Sequence, residues 1–74
     1  MQTGTIVSLK LDRGFGFIAV AGQQDVYFNA SALRDGLAFD EQLQERRVEV
    51  DLGIQNGRER AIAVRPARKQ AWQV

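Results

Sequence analysis

From Arg47 to Leu52 charged and apolar residues alternate without a break. Val48, Val50 and Leu52 fall on one face of an extended chain, and Arg47, Glu49 and Asp51 on the other. A helix, turning about 100° per residue, would scatter these side chains around its axis, so the segment is committed to a half-buried strand. The same two-residue period recurs in shorter pieces. Thr5–Leu11 is rich in branched residues and mixes apolar with polar positions. Phe15–Val20 sets Phe15 and Phe17 on one face, Ile18 and Val20 on the other, and Val26–Asn29 sets Tyr27 and Asn29 opposite Val26 and Phe28. Ala61–Val64 makes the last strand, stopped by Pro66. Turn signals at Asp12-Arg13-Gly14, Ala21–Asp25 and Asn56-Gly57 separate the pieces. The connection from Ser31 to about Glu45 contains good helix formers, and Asp40 is a competent helix cap. Leu43 is the sole apolar residue there between Phe39 and Val48, so a loop with at most a helical turn is expected. The pattern predicts an all-β domain, a small barrel or sandwich of five strands.

Composition narrows what such a domain can do. A chain of 74 residues is one small domain, burying only about 60% of its unfolded surface. It has no cysteine and no histidine. Disulfides, thiol catalysis and thiolate metal sites are therefore absent, along with the commonest general base. Asp12, Asp25 and Asp35 have no nucleophilic or basic partner at a recognisable spacing and read as solvated turn residues. No enzyme activity, cofactor or metal is implied. No apolar run approaches the roughly 20 residues that span a bilayer, and the first residues do not resemble a signal peptide, so a soluble cytoplasmic domain is expected.

Charge is unevenly placed. Residues 1–57 carry five Lys/Arg and eight Asp/Glu, whereas residues 58–74 carry Arg58, Arg60, Arg65, Arg68 and Lys69 against Glu59 alone. A basic end either seeks a polyanion or simply keeps the chain soluble, and charge alone does not decide.

Phe15 and Phe17 are the anomaly. They straddle Gly16, so both rings leave the same face, while Ile18 and Val20 already supply the other face for a core. A chain this small cannot bury both faces of one strand. The pair near Lys10 and Arg13 is the one expected outside, with Tyr27 adding a third ring. Exposed rings suit stacking on unpaired bases, at about 1–3 kcal/mol per base.

The string Arg13-Gly14-Phe15-Gly16-Phe17-Ile18 fits the first ribonucleoprotein motif. In an RNA-recognition-motif domain that motif follows an earlier strand and a helix, and the twelve residues before Arg13 are too few for both. A cold-shock domain places it on the second strand. Gly4-Thr5-Ile6, Asp25-Val26-Tyr27-Phe28, Ser31-Ala32-Leu33 and Val64-Arg65-Pro66 also occur in the order and spacing of that family, so the chain resembles bacterial cold-shock proteins from Gly4 to about Pro66. The resemblance implies a five-stranded antiparallel β-barrel of the OB-fold type over residues 1–66, followed by a basic tail at 67–74. It also implies binding of single-stranded RNA or DNA, as an RNA chaperone or a regulator of transcription or translation.

Departures from the family pattern lower the expected affinity. Ser8 stands where the family has a tryptophan, Leu9 at an adjacent aromatic position, and Asn29-Ala30 where it has histidine and phenylalanine. Losing three stacking groups would cost about 3 kcal/mol at the low end, if they added. Phe39 matches an aromatic in the family's long loop, in a loop one residue longer here. The expected binding set is thus Lys10, Arg13, Phe15, Phe17, Tyr27, Asn29 and Phe39, with Arg68 and Lys69 of the tail on phosphates and Trp72 on a base. The alternative is a protein-interaction barrel, in which Leu9, Leu11 and the rings meet a partner chain or a second copy as a homodimer.

Overall fold

The computed structural model describes residues 2–67. Five strands, β1 (Gln2–Lys10), β2 (Phe15–Val20), β3 (Val26–Asn29), β4 (Arg47–Gln55) and β5 (Arg58–Pro66), close into a barrel in the order β1-β2-β3-β5-β4. All neighbours are antiparallel except β3 and β5, which run parallel and meet at Phe28 opposite Ala61. This parallel seam departs from a purely antiparallel barrel. It arises because the chain leaves β3 through a long crossover and returns by the β4–β5 hairpin.

Strands β2 and β3 keep their sequence-predicted bounds, but the others run longer. β1 starts at Gln2, because Gln2 to Thr5 pair with Val50 to Arg47 of β4, and it ends at Lys10 rather than Leu11. The β4–β5 hairpin continues to Gln55 opposite Arg58. Asn56 and Gly57 turn it with φ of 53° and 78°, the two left-handed positions that a tight hairpin matching strand twist requires. Pro66 does not precede the end of the ladder but forms it, opposite Val48.

The crossover contains two single 3-10 turns, Ala30–Ala32 and Glu41–Leu43. Asp40 caps the second, its carboxylate accepting the Gln42 N–H at 2.9 Å. This turn delivers Leu43 into the core, and the next residues bond to β1 through Glu45 N–H to Ile6 O (2.7 Å) and Ile6 N–H to Arg46 O (3.0 Å).

Ile6, Ile18, Phe28, Val48, Val50 and Val64 are completely buried, and among the described residues no polar or charged side chain is buried with them. Removing so much apolar surface from water is the main force closing the barrel. Leu9, Leu33, Leu37, Phe39 and Leu52 pack against this core from its margins.

One irregularity sets the outer face of β1. The ladder to β2 passes from Ile6 opposite Ile18 directly to Ser8 opposite Phe17, leaving Val7 as an extra residue. Without this bulge, the alternation that turns Gly4 and Ile6 inward would also turn Ser8 and Lys10 inward. With it, Leu9 packs on the core opposite Gly16, and Ser8 and Lys10 take the outside. The Val7 carbonyl accepts a hydrogen bond from Gln44 Nε2 at 3.0 Å.

Candidate functional site

The outer face of β1–β3 is built in two rows. Lys10, Phe15 and Asn29 lie side by side across the strands, and Ser8, Phe17 and Tyr27 form the row beside them. Pleating alone accounts for this: Gly16, Ile18, Val26 and Phe28, one position off, are all buried.

The three rings touch each other. Phe15 and Tyr27 are near-parallel, 29° apart with centroids 5.4 Å apart, and Phe17 stands edge-on to both at 6.0 Å. All three are half-buried and none belongs to the core. Gly16 is what permits two phenylalanines to straddle this position. A Cβ there would lie 2.5 Å from the Ser8 carbonyl oxygen and 2.8 Å from Cε1 of Phe28. The outward rings therefore depend on an inward position that holds no side chain.

Asn29 serves local structure. Its Oδ1 accepts the Ser31 N–H at 2.9 Å, capping the first 3-10 turn, and its Nδ2 donates to the Tyr27 hydroxyl at 3.4 Å. Lys10 and Arg13 are exposed at the β1–β2 turn, next to Phe15. A shallow depression beside Phe17 is lined by Ser8, Gln24 and Asp25.

One expected residue falls elsewhere, and one cation of the basic end is already paired. Phe39 packs against the core, edge-on to the buried Phe28 at 6.3 Å, and makes no ring contact with Phe15, Phe17 or Tyr27. Its aromaticity is used to cover the end of the core, a role that a loop residue shows only once the barrel is closed. Arg65, counted among the cations of the basic end, donates from Nη2 to Asp51 Oδ2 at 3.1 Å and lies 3.9 Å from Asp35. Its charge is answered within the barrel. Arg68, Lys69 and Trp72 lie outside the described residues, as does all of the expected tail but Ala67, whose N–H reaches the Arg47 carbonyl at 3.4 Å.

One residue at the site stood in the sequence only as a cation of the basic end. The Arg60 guanidinium of β5 lies over the Tyr27 ring, 4.5 Å from its centroid. Such a cation–π contact stabilises by about 0.5–1 kcal/mol at an exposed position. Arg60 gets there because the parallel seam sets Ala61 opposite Phe28, which makes Tyr27 its neighbour.

This face offers planar apolar surfaces ringed by cations and hydrogen-bonding groups. Among the described residues no cluster of three or more acidic, cysteine or histidine side chains could hold a metal, and no helix is long and apolar enough to cross a membrane. A closed five-stranded barrel with rings aligned on one outer face is an OB-fold of the cold-shock type.

No family model matches the chain. It is 41% identical over 51 residues to the cold shock-like protein CspD of Bacillus cereus, covering 68% of this chain and 77% of that protein. To the cold shock-like protein CspLB of Listeria monocytogenes it is 38% identical over 52 residues, covering 70% and 77%. The structure of Drosophila Unr CSD456 matches with a TM-score of 0.72 and 29% identity over 95% of this chain, which spans 28% of that chain's length. The chain belongs to the cold-shock protein family.

Proposed function

We propose that this protein binds single-stranded RNA or DNA, without chemistry, by stacking bases on Phe15, Phe17 and Tyr27. The observation that carries the reading is that three mutually contacting rings occupy an outer face which the core does not use. Unpaired bases are the partners such a face suits, and sequence-tolerant stacking follows because every base has a flat apolar surface. Lys10 and Arg13, exposed beside Phe15, attract the phosphates, while Asn29 keeps the Tyr27 hydroxyl in place. Binding of this kind suits an RNA chaperone or a regulator of transcription or translation. The affinity is lower than a complete platform would give, because Ser8 faces Phe17 where another ring would fit and Ala30 has none.

The test is a titration of labelled oligo(dT) and oligo(U) across a range of salt, followed by anisotropy. Binding to both is expected, weakening with salt, with Lys10 and Arg13 contributing about −1.4 to the slope if each neutralises one phosphate. Absence of binding at low salt would refute the proposal and leave a protein-interaction surface as the use of this face.

A further inference from the structure

Arg60 does more than cover Tyr27. It forms one wall of a groove along the parallel β3–β5 seam, lined also by Tyr27, Asn29, Ser31, Arg34 and Gln55. This groove presents two arginines and four uncharged hydrogen-bonding side chains, and among the described residues no carboxylate lines it. Three other surface hollows differ in this respect. Asp25 lines the depression beside Phe17, Asp25 and Glu59 accompany Arg58 and Arg60 on the Phe17 side of Tyr27, and Asp35 and Asp40 share a hollow with Arg46. Arg60 thus stands at a boundary: Asp25 and Glu59 line the hollow on its Phe17 side, and among the described residues no carboxylate lines the groove on its Asn29 side.

Both arginines are held in place by groups that leave their charge unanswered. Arg34 donates from Nη1 to the carbonyls of Ser31 (2.8 Å) and Leu33 (3.1 Å), and Arg60 rests on the Tyr27 ring. Among the described residues neither pairs with a carboxylate, whereas Arg65 on the same strand pairs with two. A guanidinium fixed in advance loses less freedom on binding, and its planar fork matches two oxygens of a phosphate.

We propose that this groove is a phosphate subsite, in which Arg34 and Arg60 together hold one phosphodiester of a single strand as it leaves the Tyr27 side of the aromatic platform. The inference rests on the single-strand binding proposed above and extends it to β5 and the crossover. Tyr27 belongs to both surfaces, so a strand stacked across Phe17 and Tyr27 meets the groove next.

The experiment compares the full chain with Arg34→Gln, Arg34→Gln/Arg60→Gln and Phe17→Ala, titrating labelled oligo(dT) at several salt concentrations. The double variant is expected to lose about 0.7 from the salt slope, one phosphate's worth. Phe17→Ala is expected to weaken binding with the slope unchanged. Arg34 is exposed and outside the core, so Arg34→Gln alone should lower the slope in the same direction even if the double variant melts early. An unchanged slope in both arginine variants, while Phe17→Ala still weakens binding, would overturn the subsite and leave the binding proposal standing. Absence of salt-dependent binding by the unsubstituted chain would overturn both.

Discussion

Alanine substitutions at Phe17 and Phe28, made one at a time, separate the two sides of the sheet. The residues sit on neighbouring strands, yet Phe28 is fully buried and Phe17 leaves the outer face. Phe28 packs over Gly16 and edge-on to Phe39, and truncating a ring so enclosed costs about 3–5 kcal/mol. A 74-residue domain has about 4–11 kcal/mol of stability at the usual value per residue, so Phe28→Ala removes a large part of it. Phe17 gives up two edge-on ring contacts at a half-buried site, together about 1 kcal/mol at the low end of the aromatic range. That corresponds to a fall in Tm of about 4–8 °C. Its effect on ligand is the larger one: a lost stack of about 1–3 kcal/mol weakens binding roughly fivefold to more than a hundredfold. Thermal melts by circular dichroism and anisotropy with labelled oligo(dT) read the two effects separately. If Phe17→Ala melted as low as Phe28→Ala, the ring would be part of the core. If it bound like the unsubstituted protein, the platform would not be the binding surface. Either result defeats the reasoning.

Ser8→Trp places an indole opposite Phe17, over the depression lined by Gln24 and Asp25, and should tighten oligo(dT) binding about fivefold or more, with Asn29→His and Ala30→Phe adding to it. A folded triple variant with no gain in the same titration would mean that the face has been reshaped for another partner. Gly16→Ala should destabilise the barrel by about 1–3 kcal/mol or more, because the new methyl meets the Ser8 carbonyl and the Phe28 ring. A melting temperature within a degree of the unsubstituted protein would show that β1 and Phe28 yield easily.

Much of this architecture is legible in the sequence, and the parts that are not share a cause. Alternation names the inner and outer residues of β2 and β3 directly, since burial follows the two-residue period there. The far ends of β4 and β5 carry no such pattern. Residues 53–60 lie mostly in solvent on both faces, so their pairing is held by backbone hydrogen bonds and the Asn56-Gly57 turn rather than by side-chain burial. The bulge at Val7 is equally silent, being a property of how β1 meets β2 and not of any residue in β1. Among the candidate site residues, Phe15, Phe17 and Tyr27 come together because each sits on a regular strand with a core partner one position away. Phe39 belongs to the crossover, where no period constrains it and packing alone sets its direction. Arg60 reaches Tyr27 through a parallel pairing of residues far apart in the chain, which leaves no local trace.

The bulge at Val7 also decides what substitutions on β1 can change. It assigns Ser8 and Lys10 wholly to the outside, so that neither side chain fills a place in the interior. A ring, a hydroxyl or an ammonium at position 8 is therefore nearly equivalent as far as folding is concerned, and very different to anything that lands on the sheet. Recognition strength at this face can drift across orders of magnitude while the barrel beneath keeps the same stability. The reverse does not hold at Gly16, where one backbone position serves the interior and, through its two neighbours, the platform. Two adjacent strands thus carry opposite tolerances: an adjustable position on β1, and on β2 one that admits no side chain without moving both.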